Sequence, residues 1–177
     1  LLALARAMTH HDADHELKSR APALAAAAAA LADATEYDEA RDVLARLEAT
    51  DGSNAGEDVA ADDAADPVLG QIMNEAALLF GGLRRSSQGR RLVQRRDDNI
   101  EKATTVAVIA QTAAANSDYC EDDAQIAVWR RWAHAMRDAA AELAGAPRAG
   151  DADAAATAFE QLDTSCVECH REFNVEE

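Results

Sequence analysis

The stretch from Asp151 to Asn174, DADAAATAFEQLDTSCVECHREFN, decides the fold because its apolar residues recur at helical spacing. The intervals along it are four, three, four, three and four residues, at Ala155, Phe159, Leu162, Cys166, Cys169 and Phe173. Positions three and four apart lie on one face of an α-helix. The stretch therefore predicts a helix whose buried face carries two cysteines.

Earlier segments have the same helical spacing, and no run alternates at the two-residue period of a strand. Asp66-Pro67 predicts the start of a first bundle helix, since proline fits the first helical turn. Residues 88–117 are interpreted as one helix in preference to a broken pair. The end of the next helix is predicted by three helix-breaking residues, Gly145, Pro147 and Gly150. With the last helix this makes an all-α fold built on an antiparallel four-helix bundle.

Cys166-Val167-Glu168-Cys169-His170 form C-x-x-C-H, in which two thiols bind a haem covalently and the histidine ligates its iron. On one helix these three side chains project from the same side. A zinc site would need more ligands at matching spacing, and a redox dithiol would need a strand-helix-strand setting. Aromatic residues make up only 4% of the chain, so a haem would also supply bulk to the core. The motif predicts one covalently bound haem c with His170 as the proximal ligand.

A C-terminal C-x-x-C-H-x-x-F on the last helix of a four-helix bundle resembles the cytochrome c prime family. The specific part of the resemblance is Cys166, Cys169, His170 and Phe173. In that family a methionine from the first bundle helix makes the iron six-coordinate, whereas an apolar residue leaves it five-coordinate and gas-binding. The resemblance puts Met73 at this distal position, with gap-filling core packing as its alternative role. It also implies haem attachment outside the cytoplasm, in the periplasm or another extracytoplasmic compartment.

Three further residues are candidates for contact with the cofactor. Trp129 can pack against the porphyrin, as can Trp132, although one of the two can instead cover the helix seam from its edge. Met136 faces inward at mid-helix and is also interpreted as ordinary core.

Cys120 is left single after haem attachment, and the surrounding carboxylates should raise its pKa and keep it an inert thiol.

Ahead of the bundle, residues 1–50 predict a helical hairpin, marked by leucines at helical spacing. This hairpin resembles the last two bundle helices, so it is a candidate degenerate repeat without haem, and a helical extension is the alternative. Residues 51–66 hold six acids and no base, which is the composition of a linker. Residues 67–177 then form the haem-binding bundle.

The net charge of -16 disfavours nucleic acid and anionic membranes as partners, and no run is apolar for the ~20 residues of a membrane span. Six arginines nevertheless fall within 13 positions, at Arg84, Arg85, Arg90, Arg91, Arg95 and Arg96. This cluster can dock an acidic redox partner, pair with haem propionates or bind residues 51–66. A solvated turn is the alternative.

Together these features predict a mono-haem c-type cytochrome that transfers electrons, with Met73 as the sixth iron ligand. One alternative is a five-coordinate protein that binds nitric oxide or carbon monoxide, with Ile72 and Ala76 closing the distal side. Another is an electron-relay or structural subunit of a larger redox complex, and a homodimer is also open. An enzyme is not expected, because no histidine or carboxylate falls on an inward stripe opposite the haem, although weak peroxidase-like activity is left open.

Overall fold

A computed structural model describes the chain at Ala5, Met8 and residues 18–48, 69–86, 89–117 and 119–173, without the side chains of Ala32, Leu47 and Glu48. The chain divides into two compact units, Leu1–Pro67 and Val68–Glu177. The described residues form helices and turns and contain no strand, so the all-α prediction is confirmed. The predicted linker, residues 51–66, and the predicted helix start at Asp66-Pro67 lie outside the described residues.

The first unit contains two helices that pack against each other, α1 at Ala21–Asp33 and α2 at Tyr37–Glu48. Pro22 stands in the first turn of α1, where its missing N–H costs nothing. Their contact buries small side chains of α1 and Val43 of α2. The predicted hairpin is thus confirmed, while its origin as a degenerate repeat stays a prediction. No helix among the described residues combines the length and the apolarity needed to cross a membrane.

The second unit is a bundle of four long helices with one short helix inserted. These are α3 at Leu69–Ser86, α4 at Arg90–Gln94, α5 at Arg96–Ala115, α6 at Asp123–Ala149 and α7 at Ala152–Glu172. Each long helix packs against the next one along the chain. The last long helix, α7, contacts the first, α3, where the rings of Phe80 and Phe159 stack with centroids 4.9 Å apart. This arrangement confirms the predicted antiparallel four-helix bundle.

Two apolar clusters fill the bundle. The main core extends along most of it and includes the fully buried leucines Leu83, Leu92, Leu143 and Leu162. The second, here called the end cluster, lies where α3 begins and α7 ends. It consists of Leu69, Ala113, Ala114, Trp129 and Ala133. Because α3 and α7 run antiparallel, the first turns of α3 and the last turns of α7 meet at the same end of the bundle.

The preference for a single helix over residues 88–117 is wrong, because the backbone breaks at Arg95, with φ -115° and ψ 35°. The buried amide of Asn99 holds this break. It donates to the main-chain oxygens of Ser86 at 3.1 Å and of Leu92 at 3.4 Å, and the Ser86 hydroxyl donates back to its side-chain oxygen. Buried polar groups need such partners. The alternative of a broken pair is therefore the observed arrangement.

The helix α6 also ends later than predicted, because it continues through Gly145 and Pro147. It stops at Gly150, whose φ of +70° lies in the left-handed region. There the Gly150 N–H donates to the Pro147 oxygen at 3.3 Å and the Asp151 N–H to the Ala146 oxygen at 3.1 Å. These two bonds form a Schellman motif. Only one of the three predicted stop residues therefore ends the helix.

We expect alanine at Gly150 and at Gly145 to change stability in opposite directions. No atom lies within 4 Å of a Cβ at either position, so backbone conformation alone decides. Gly150→Ala forces a left-handed alanine and should lower the free energy of unfolding by about 1 kcal/mol. Gly145→Ala sits inside a helix and should raise it by about 0.5 to 1 kcal/mol. Urea unfolding of both variants checks this, and a shift of the same sign in both would contradict it.

Candidate cofactor site

The C-x-x-C-H motif occupies the last two turns of α7. This helix begins at a cap in which the Asp151 carboxylate accepts a hydrogen bond from the Ala154 N–H at 2.9 Å. Along its inward face, Cys166 packs against the main core and Cys169 against the end cluster. Both cysteines are only half-buried, as is His170. The two thiols thus lie on one apolar face that the protein itself leaves partly uncovered.

The imidazole of His170 is the most informative polar group at this end. Its Nδ1 atom is buried and has no hydrogen-bond partner among the described residues. An unpaired buried nitrogen costs about 1 to 3 kcal/mol, so native proteins rarely keep one without a reason. An imidazole whose Nδ1 atom has no protein partner is compatible with a role as an iron ligand. The site therefore fits a haem held at this motif.

Met73 lies on the second turn of α3, at the same end of the bundle. Its half-buried side chain packs against both the main core and the end cluster, as does that of Ile72. One turn further, Ala76 is fully inside the main core. Met73 therefore contacts the same two clusters as Cys166 and Cys169, from the opposite helix. The side chains predicted to share a site thus pack against the same apolar clusters, and their role as a haem site stays a prediction.

The aromatic rings of Trp129 and Phe173 pack against each other at the motif end of the bundle. Their rings meet edge to face, with centroids 5.2 Å apart and an interplanar angle of 84°. The Trp129 indole N–H donates to the Ala113 oxygen at 2.7 Å, which fixes the buried ring across α5 and α6. Because Phe173 follows the motif histidine by three residues, this contact anchors the end of α7.

Two other predicted contacts, Trp132 and Met136, lie on α6. Trp132 is half-buried and lines a surface hollow of about 490 Å³ between α6 and α7, together with Thr164 and Ser165, which directly precede Cys166. The Arg131 guanidinium lies 4.9 Å from the Trp132 ring centre, and the buried Nε1 atom of Trp132 has no hydrogen-bond partner among the described residues. Met136 is buried in the main core, which agrees with its interpretation as ordinary core. Arg171, next to His170, forms an ion pair with Glu168.

Cys120 was not predicted to lie at this site. It is half-buried and packs against the end cluster, as Cys169 does. Burial raises its pKa and Asp122 adds to the rise, so the expected direction is right but carboxylates are the lesser cause. The bundle topology could have predicted this position, because the turn between α5 and α6, which contains Cys120, lies at the end of the bundle where α7 finishes.

Burial likewise raises the pKa of the two motif thiols. The pKa of Cys166 rises chiefly through desolvation. That of Cys169 rises to about 11, first through desolvation and then through the neighbouring Cys166 and Cys120. Reactive redox dithiols instead depend on a lowered pKa. The electrostatics of this site therefore disfavour thiol-disulfide exchange as its chemistry.

The six clustered arginines lie at the other end of the bundle, on the end of α3, on α4 and at the start of α5. At 1.5 Å per residue, Arg85 is ~18 Å along α3 from Met73. Arg84 folds back over the Phe80 ring, 5.1 Å from its centre, and binds Asp163 at 3.1 Å. This placement gives no support to the expected pairing of the arginines with haem propionates.

The sequence was compared with known proteins. No curated protein and no solved structure matches the chain. Residues 71–174 match the model of one family, described as Cytochrome C'. The match covers more than half of the chain and extends from the first turn of α3 through the C-x-x-C-H motif. The chain therefore belongs to the cytochrome c prime family, which implies a haem c cofactor.

Proposed function

We propose that this protein is a mono-haem electron carrier. In this proposal Cys166 and Cys169 hold one haem c by thioether bonds, His170 is its proximal ligand and Met73 its distal ligand. The observation that carries the proposal is that Met73 packs against the same two apolar clusters as the two cysteines, from the facing helix. When bound at these residues, haem would supply a one-electron iron couple, and without Met73 as a ligand its iron could also take up a diatomic gas.

The protein residues provide the apolar setting that this role requires. Met73, Cys166, Cys169 and Phe173 all keep part of their surface exposed in the protein alone. A flat apolar group between them would cover that surface and gain about 25 cal/mol for each Å² removed from water. The Trp129 hydrogen bond to Ala113 holds that ring in one position across α5 and α6. A fixed, apolar setting favours an outer-sphere carrier.

The distal residues also argue for a carrier and against an enzyme. The inward side chains of the first turns of α3 are Leu69, Ile72, Met73 and Ala76, and none can donate or accept a proton at neutral pH. Acid-base catalysis needs a group within hydrogen-bond reach of the reacting atom.

We further propose an extracytoplasmic location, as is typical of the family, and partner proteins that exchange electrons at the motif end.

A second candidate, reversible gas binding, draws on the same residues. Met73 packs as a core side chain would, and Ile72 beside it contacts both clusters in the same way. If Met73 only packs, the distal side is closed by apolar groups and the iron stays five-coordinate. The coordination state therefore separates the two functions.

Replacing Met73 is expected to change the absorption spectrum of the reduced protein. The wild type should show sharp low-spin bands, and Met73→Ala should show high-spin bands because the sixth ligand is gone. Its reduction potential should fall by on the order of 0.1 V, since axial ligands span about 0.8 V. Spectroscopy and redox titration of the purified protein measure both.

Met136→Ala is the matched control, because Met136 lies in the main core and contributes no ligand in this proposal. It should lose about 2 to 5 kcal/mol of stability and keep the low-spin bands. A wild type that is already high-spin and binds carbon monoxide would favour the gas-binding candidate. Absence of any haem absorption from the full chain would refute both.

A further inference from the structure

The end of the bundle opposite the motif has an unusual surface, here called the arginine end. It consists of Arg84, Arg85, Arg90, Arg91, Arg95 and Arg96, all of them exposed. Two are neutralised within the bundle, since Arg84 pairs with Asp163 at 3.1 Å and Arg95 with Asp98 at 4.0 Å. The remaining four form no ion pair with any residue in the described ranges. An acidic chain thus keeps a local excess of positive charge at one end.

This surface also contains an apolar element. Val93 is 60% exposed on α4, between the arginines. At the break between α4 and α5 there is a hollow of about 430 Å³, lined by Val93, Gln94, Arg95, Arg96, Asp97 and Asp98. Arginine is enriched in protein interfaces. The exposed Val93 and the hollow beside it add an apolar contact surface to the arginines.

We propose that an acidic segment of a partner protein docks on the arginine end. Guanidinium groups bind carboxylates through paired, charge-assisted hydrogen bonds, so several carboxylates in sequence match several arginines. A narrow segment can contact the arginines without approaching most of the acidic surface. A broad anionic surface such as a membrane would also face the acidic remainder of a chain with net charge -16, and acidic side chains within the ~8 Å screening length would repel it.

The distance between the arginine end and the motif end indicates what docking at the arginine end does. It lies ~18 Å along α3 from Met73, so a segment bound there leaves the motif end open. The segment therefore tethers the protein to its partner without covering the site of electron exchange. This last step rests on the proposed function, whereas the docking itself does not.

The test measures binding of a labelled peptide of eight glutamates around one leucine to the full haem-loaded chain, by fluorescence anisotropy. The triple variant Arg85→Gln, Arg90→Gln and Arg96→Gln removes three unpaired charges and should weaken binding at least tenfold. The matched control removes three exposed arginines toward the motif end, by Arg130→Gln, Arg131→Gln and Arg171→Gln, and should change the affinity less than twofold. Raising the salt concentration should weaken wild-type binding.

Three results would overturn the docking proposal: no binding to the wild type, equal weakening in both triple variants, or binding to phosphatidylglycerol vesicles in place of the peptide. Tethering adds one expectation, that a small oxidant such as ferricyanide oxidises the reduced protein equally fast with and without bound peptide. Slower oxidation would overturn the tethering role. A chain that lacks haem and still binds the peptide at the arginine end would refute only the proposed function.

Discussion

Replacing both Cys166 and Cys169 with alanine is expected to abolish covalent haem binding, so that the denatured protein weighs only what its polypeptide weighs. The wild type should weigh one haem more, because each motif thiol forms one thioether bond in the proposed site. Each single variant should keep one thioether bond and therefore the mass of one haem. Mass spectrometry after acid extraction, which removes haem that is not covalently bound, measures the difference directly.

The fold itself should survive these substitutions, so the loss would not reflect unfolding. Alanine is the best helix former, and both positions lie inside α7. The thiols are only half-buried, so their removal leaves no large cavity in the main core. The far-ultraviolet circular dichroism of the double variant should therefore keep its helical signal. A helical protein without bound haem is the expected product.

Cys120→Ala is the control for this experiment, since its thiol packs against the same end cluster as Cys169. In our proposal it bonds to nothing, so the variant should retain the full mass of one haem. A double variant of the motif that still carries covalent haem would instead implicate Cys120. A wild type with the mass of the polypeptide alone would exclude covalent haem attachment.

The sequence predicted the bundle well because its helices bury one continuous stripe each. In α7, the residues at four, three and four spacing before the motif are the ones that the structure buries, including Phe159 and Leu162. An antiparallel bundle then brings the start of α3 to the end of α7 without further information. That is why Met73 and Cys169 could be expected at the same end of the bundle, where both pack against the end cluster.

What could not be predicted depends on contacts between residues distant in the fold. The break at Arg95 is held by Asn99, whose burial against Ser86 and Leu92 is a tertiary property that no local spacing reports. Pro147 is buried inside α6 despite the ~3 kcal/mol that proline costs a helix interior, and among the three predicted stop residues Gly150 alone has the left-handed backbone that ends a helix. The hollow at the arginine end lies at the same break between α4 and α5, so it could not be predicted from the sequence either.

The second large effect is expected from Leu162→Ala, which should lower the free energy of unfolding by about 2 to 5 kcal/mol. Leu162 is completely buried on α7, one turn before Cys166, and its removal leaves a cavity in the main core. A loss of this size is a large part of the ~5 to 15 kcal/mol that stabilises a typical domain. Urea unfolding followed by circular dichroism measures it.

Leu78→Ala is the matched control, because Leu78 is 71% exposed on α3 and the same side chain is removed. Its effect should stay within about 0.5 kcal/mol. The comparison tests whether the α7 stripe, and not helix propensity, holds the motif in place, since alanine favours helix at both positions. If the two variants lost stability equally, the packing described for Leu162 would be wrong, and with it the inward orientation of Cys166 and Cys169 on the same face.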